Sequence, residues 1–336
     1  DTFSHWRLRR DLRGQSENPM RGRGESSMAR PGKCGLCLII AILAIMIVAC
    51  ASERAWACVG ARQMAMGGTF VGIADDMSAV YWNPAGIAML DQRGFHVTST
   101  LSNRDTYNYD DFLVCIWPEH GDLTVGLSLI REHLGEFAES GRYQAGDWFI
   151  CSVATVVAEG LSVGANFRYE NYSMRLMGED SMAGSRFGLD VGLLYHVNSK
   201  LSIGCLLQDA GLSELYWDDG SSERIGTNIR PGIGYRPNPH TLIALDIYNI
   251  GGRVSSSGEY EDCTPCLRVG VERWLTPNVA ARFGYYGIRL GEGAVTYGIG
   301  LHVGRYSVDY AYLDVATVPG HPGLGGTHQI GVTVKF

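Results

Sequence analysis

The chain has 336 residues, 46% hydrophobic and only 19% charged, with a net charge of −7. This excludes a disordered chain and a basic nucleic-acid-binding tail, and a mean hydropathy of −0.02 excludes a bundle of membrane helices. The 44 glycines, nearly twice the ordinary share of ~7%, and 17 tyrosines against 11 prolines point to closely packed antiparallel strands.

Residues 1–57 form a separate class. Arg30 and Lys33 follow Met28, and an apolar run then extends from Leu36 to Ala51. Ala55-Trp56-Ala57 supplies small residues at −3 and −1, so 28–57 reads as a secretory signal peptide cleaved after Ala57. The run is shorter than the roughly 20 residues of a spanning helix. Residues 1–27 are read as untranslated, with Met28 as the start. Ile47-Val48-Ala49-Cys50 offers a second processing route, lipidation at Cys50. Residues 1–57 hold nine Lys and Arg and five Asp and Glu, so their removal takes the net charge to about −11. An acidic exported product argues against nucleic-acid partners.

From residue 93 onward, period-two segments alternate with turn residues. In Leu161–Glu170, Leu161, Val163, Ala165, Phe167 and Tyr169 share one face, and Ser162, Gly164, Asn166, Arg168 and Glu170 share the other. This is strand periodicity. Fourteen such strands fit between 93 and 336. Their connections alternate between tight (158–160, 197–199, 237–239, 275–277) and longer (132–145, 174–185, 211–227, 250–263, 315–326). That asymmetry predicts an all-β, transmembrane antiparallel barrel.

A soluble sandwich would carry dense Lys and Glu on its polar face. Here that face is mostly Gly, Ser and Thr, with isolated charges at Arg168, Glu170, Asp190, Arg230, Asp246, Arg268, Glu272, Arg282, Asp309 and Lys335. Small residues mixed with opposite charges suit a narrow, partly filled lumen. Tyr169, Tyr195, Tyr235, Tyr285, Tyr297, Tyr306 and Tyr312 fall near strand ends on the apolar face, where interfacial girdles belong. The terminal Phe336 reads as a signal to the barrel assembly machinery.

Residues 60–90 do not alternate. Gly67-Gly68 allows close backbone approach or positive φ, and Asn83-Pro84-Ala85-Gly86 is turn chemistry. Met64, Met66, Phe70, Val71 and Ile73 make an apolar surface too small to fold alone. Residues 58–92 are therefore expected to enter the lumen as a plug, with Arg62, Asp75 and Asp76 pairing with Asp190, Arg230, Arg268 or Arg282. A cap packed under the barrel is the alternative.

The run Gly60-Ala61-Arg62, Met66-Gly67-Gly68, Ala74-Asp75-Asp76, Ser78-Ala79, Trp82-Asn83-Pro84-Ala85-Gly86 resembles the N-terminal signature of the PorV/PorQ group and the related FadL/TodX transporters (the OMPP1 superfamily) of Gram-negative outer membranes. The C-terminal Gly326-Thr327-His328-Gln329-Ile330 and Phe336 are similar to that group as well. The resemblance implies a fourteen-stranded barrel with an N-terminal plug, 58–92, inside a barrel of 93–336.

No G-x-S-x-G, H-E-x-x-H, Walker loop or dinucleotide fingerprint is present, so neither an enzyme nor a cofactor is expected. Cys263-Thr264-Pro265-Cys266 has zinc and redox spacing but lacks further ligands or a strand–helix frame. A small disulfide or two plain thiols is expected there, and no metal site. The resemblance implies a conduit for small hydrophobic molecules across the outer membrane, or alternatively a PorV/PorQ-like component that receives secreted proteins or scaffolds a secretion system. Expected partners are outer-membrane lipid and lipopolysaccharide, the assembly machinery, and a hydrophobic ligand or secretion-system proteins.

Overall fold

The computed structural model describes residues 59–101, 109–118, 123–137, 142–176, 181–211, 213–248, 250, 253–254, 260–261, 265–289, 292–314 and 326–336. The leader with Met28 and Cys50, and also Cys58 and Cys263, lies outside them.

Among the described residues eighteen strands follow one another: β1 (Gly94–Leu101), β2 (Tyr109–Pro118), β3 (Leu123–Phe137), β4 (Arg142–Ala158), β5 (Leu161–Leu176), β6 (Met182–His196), β7 (Leu201–Gln208), β8 (Ser213–Trp217), β9 (Ser222–Ile225), β10 (Asn228–Asn238), β11 (Thr241–Tyr248), β12 (Arg253–Val254), β13 (Tyr260–Glu261), β14 (Cys266–Trp274), β15 (Val279–Arg289), β16 (Glu292–Val303), β17 (Tyr306–Asp314) and β18 (Thr327–Lys335). Fourteen of them, β1–β7, β10, β11 and β14–β18, form one antiparallel ring. β1 and β18 close it in continuous register from Gly94↔Lys335 to Leu101↔His328. Closure leaves the ring itself without an edge strand.

Two details depart from the sequence reading. The segment 211–227 holds the hairpin β8–β9, and β12 and β13 pair within the stretch expected as the loop 250–263. The stretches 132–145 and 174–185 are largely strand, because β3–β6 continue to 15–17 residues each. Their upper halves lose the apolar-out pattern, so alternation alone could not follow them.

The reason is visible on the outer face. Phe149, Tyr169 and Phe187 lie in one cross-strand row and are all exposed. The next outward row is Arg131, Asp147, Asn171 and Ser185, with an Arg131–Asp147 ion pair at 2.9 Å. Below it, β6 exposes Phe187, Leu189, Val191, Leu193 and Tyr195. Those five outward positions span about 26 Å along the strand at ~3.3 Å per residue, or about 20 Å across the membrane at a tilt of roughly 40°, close to the ~25 Å apolar band of a membrane barrel. Among the described residues no helix could cross a membrane; the strands carry the apolar exterior.

The inner face is less polar than the alternation suggested. Phe112, Val114, Ile116, Ile130, Ile150, Leu194, Leu206 and Leu242 are buried inward and join Met64, Met66, Phe70, Val71, Ile73 and Trp82 in one apolar cluster. β2 is apolar on both faces (Leu113-Val114-Cys115-Ile116), so its pattern could not reveal an inward apolar side. Residues 59–90 thus share a core with the barrel wall.

Candidate functional site

The residues before β1 fold locally by their own turn chemistry. α1 (Ala61–Ala65) starts after Gly60, whose φ is 94°, and the chain reverses at Gly67 and Gly68, with φ of 68° and 69°. After α2 (Ala79–Trp82), Asn83 accepts a hydrogen bond from the Ala85 N–H at 3.2 Å and starts the 3₁₀ turn Pro84–Met89, with proline where no N–H is needed.

Wall glycines leave room for this backbone. A Cβ at Gly164 would meet Pro84, one at Gly204 would meet Val71, one at Gly270 would meet Met66, and one at Gly284 would meet Gly67. Directed bonds add to the fit. One oxygen of the fully buried Asp246 accepts the N–H groups of Phe70 and Val71 at 2.7 and 2.9 Å. The Asn83 amide donates to the carbonyls of Val71 (2.9 Å) and Leu193 (3.0 Å), and Asn166 donates to the Val80 carbonyl at 2.7 Å. Gly67 N–H reaches Thr296 at 3.0 Å, while Gly86 lies against Ala74.

Charges fall into three groups. At the short-turn end, Arg62 bridges Asp75 (2.6 Å), Asp76 (3.0 Å) and Glu272 (2.8 Å). The ladder continues from Asp75 to Arg236 (2.8 Å), and through Glu272 to Arg282 (2.7 Å) and Asp309 (2.7 Å). The sequence reading expected other partners for Arg62 and Asp75. Glu272 and Arg236 take these places because α1 and the 70–76 turn meet the wall near its short-turn rim. Partial desolvation beside the wall pushes the Asp75 carboxyl, still 34% exposed, upward, but the Arg62 and Arg236 guanidiniums outweigh it and hold it below its ordinary range. A cavity of about 240 Å³ opens here beside Arg62, Asp75, Leu90, Trp274, His302 and Lys335.

Toward the long-loop end, Arg168 pairs with Glu170, with Asp190 (2.9 Å) and with Asp209 (2.5 Å); Arg186 pairs with Glu170 (2.6 Å) and Asp209 (2.8 Å). Farther round the ring, on β10, β11, β14 and β15, Arg230 and Arg268 stack on Tyr248, with guanidinium carbons 4.6 and 3.5 Å from the ring centre, and Arg268 also covers Tyr286 at 3.9 Å. Gly68 lies under Arg268. Aromatic rings connect the two sides: Trp148–Tyr81 at 6.4 Å, Tyr81–Trp82 at 5.2 Å and Trp82–Tyr248 at 6.3 Å.

Sequence reasoning missed Arg186, Asp209, Arg236 and this aromatic run. Arg186 shares the strand parity of Asp190 and was readable. Asp209 sits past the end of β7 with a φ of 56°, and no periodicity marks it. Cys266 is buried with a free thiol, while Cys263 lies outside the described residues. No group of side chains suited to a metal ion occurs among the described residues.

A closed fourteen-strand barrel with an apolar exterior and an occupied, charge-paired lumen defines a membrane-spanning β-barrel. Its architecture is of the FadL type. The toluene transporter TbuX of Ralstonia pickettii shares it with a TM-score of 0.60 at 15% identity, over 82% of this chain and 97% of that one. The CymD monoaromatic hydrocarbon channel gives 0.58 at 14%, covering 84% and 99%, and a Pseudomonas aeruginosa FadL homologue gives 0.56 at 13%, covering 82% and 98%. No family model and no curated protein matches the sequence.

Proposed function

We propose that this chain is an outer-membrane conduit for small hydrophobic molecules, with residues 58–92 as a luminal plug in a barrel of 93–336. The observation that carries the reading is the aromatic run Trp148–Tyr81–Trp82–Tyr248 across the lumen of a barrel whose fold is that of hydrocarbon transporters. Aromatic faces bind apolar solutes without demanding hydrogen bonds. The short turns would face the periplasm and the long loops the outside. Lipid and lipopolysaccharide would contact the apolar belt, and Phe336 would be read by the assembly machinery. Asp246, Glu272 and Arg236 serve as structural partners of the plug, and no enzymatic role is assigned.

The finer PorV/PorQ assignment, with its role in receiving secreted proteins or scaffolding a secretion system, rests on the Gly60–Gly86 motif. One experiment separates the two readings. Liposomes bearing the purified barrel should take up toluene faster than empty liposomes, without a matching gain for a sugar of similar size. Equal uptake by loaded and empty liposomes would reject the conduit.

A further inference from the structure

The short-turn rim carries charges that the plug does not use. Outside the ion pairs of the plug, the exposed charges at that rim from β6 round to β1 are Lys200, Arg273, Arg305 and Arg93, against Asp91, among the described residues. A chain of net charge −7 thus turns a basic sector toward one end of the barrel.

Arg273 stands on the lipid side of that sector. On β14, Arg268, Gly270 and Glu272 point inward, and Val269, Val271 and Arg273 alternate with them on the outer face. Arg273 lies one outward step from the row Tyr235, Ile243, Val271 and Phe283, on the side of the short turns. Its own row places Thr241 and Ala281 beside it, two short side chains that leave the exposed guanidinium open laterally. Nη1 donates to Asn238 Oδ1 at 3.3 Å and to Thr241 Oγ1 at 2.5 Å, which uses both of its hydrogens. A guanidinium has five N–H groups, so the edge formed by Nε and Nη2 keeps three. Among the described residues no carboxylate pairs with it.

That edge is the fork that clasps a phosphate with two parallel hydrogen bonds. The level of Arg273, at the lower border of the apolar belt, is where phospholipid phosphates lie, and long cationic side chains reach toward that level. Acyl chains would run along Val271, Ile299 and Leu301, the last two 52% and 49% exposed. A zwitterionic head brings its own ammonium to the phosphate. A head of net negative charge leaves the phosphate to the arginine and is drawn by the whole basic sector.

We infer that Arg273, held by Asn238 and Thr241, is the phosphate anchor of a site for an anionic diacyl phospholipid in the leaflet that meets the short turns. The site goes beyond the conduit reading and takes from it only the placement of the barrel in a membrane.

The test uses the full chain, purified in detergent and freed of lipid, with dioleoylphosphatidylglycerol or dioleoylphosphatidylcholine added and binding read by native mass spectrometry. The first phosphatidylglycerol should bind about tenfold more tightly than the first phosphatidylcholine. Arg273→Gln should bring the two lipids level, with heat-modifiable migration confirming a folded barrel. Lys200→Gln removes the same charge from the same rim and should keep the preference. Equal binding of the two lipids by the unaltered protein overturns the site, and this needs no variant. A preference that survives Arg273→Gln, or that Lys200→Gln abolishes as fully, overturns it as well, because either marks diffuse attraction to the rim. Glycerol phosphate at the concentration of the lipid should not displace it; displacement would assign the fork to a free phosphate ester instead. Toluene uptake by liposomes is read separately, so its absence removes the conduit and leaves the lipid site, whereas level lipid binding removes only the site.

Discussion

Arg62 and Glu272 meet in a two-pronged ion pair, Nε to Oε2 at 2.8 Å and Nη2 to Oε1 at 3.0 Å, across 210 residues of chain. Both side chains are largely buried, at 12% and 3% exposure. Removing one partner of a buried pair strands the other charge, at a cost of about 3–5 kcal/mol. Arg62→Ala and Glu272→Gln should each lower the temperature at which the barrel loses heat-modifiable migration. The double replacement should cost clearly less than the two single ones added together. Additive losses would show that the two residues do not act as a pair.

Asp75 gives the pH dependence. Its carboxyl is held below the ordinary value of 3.8 by Arg62 and Arg236, against the upward push of partial desolvation. A carboxyl depressed on folding contributes stability that is fully present above its unfolded value and lost as pH falls through its lower folded value. Seating of residues 59–92 should therefore be level from neutral pH down to about pH 4 and weaken below that. Asp75→Asn should be weaker at neutral pH and flatter in acid. Protease cleavage within 70–78, followed against pH, reads both; parallel profiles for the two proteins would remove Asp75 as the cause.

The wall glycines make a steric prediction. At Gly164 and Gly270 the obstacle to a Cβ is backbone or near-backbone of residues 84 and 66, which cannot swing aside. Gly164→Ala and Gly270→Ala should each destabilise by about 1–3 kcal/mol through overpacking. Denaturant midpoints measured by Trp fluorescence decide it, and unchanged midpoints would mean that the segment does not press on those positions.

The ring itself was legible because the side-chain period of two survives wherever one face meets lipid. Leu161–Glu170 alternates along its whole length, and the fourteen strands it helped define are those of the ring. Where the outer face becomes polar, above Phe149, Tyr169 and Phe187, the period no longer separates strand from loop, and the arms of β3–β6 were read as long loops. The site was harder to read. Asp246 and Glu272 stood out as charges on the inward parity, but Phe70, Val71 and Arg62, which they bind, come from the non-repeating segment, whose path depends on Gly60, Gly67 and Gly68 turning at positive φ. The Trp148–Tyr81–Trp82–Tyr248 run joins three separate elements, with Trp148 and Tyr248 lying 67 and 166 positions along the chain from Tyr81 and Trp82, the rings they meet, and nothing local announces it.

Deletion of residues 59–92 tests whether the segment is a removable stopper or part of the core. Met64, Met66, Phe70, Val71, Ile73, Val80, Trp82 and Ile87 are all at most 2% exposed, and they pack on inward wall residues such as Ile116, Ile130, Leu194 and Leu206. At about 1.5–3 kcal/mol for each large apolar side chain buried, the segment accounts for on the order of 10–20 kcal/mol before entropy is counted. That is comparable to the whole stability of a typical protein, about 5–15 kcal/mol. The truncated chain should therefore fail to give a heat-modifiable barrel on refolding, although all fourteen strands remain. Supplying 59–92 as a separate peptide should restore part of the yield, since the glycine-lined seat and the Asp246 and Asn83 contacts are specific to it. A truncated chain that refolds fully and conducts ions freely would show that the wall is self-sufficient. The segment would then be a stopper held by its charges, and the shared apolar core would carry no weight in assembly.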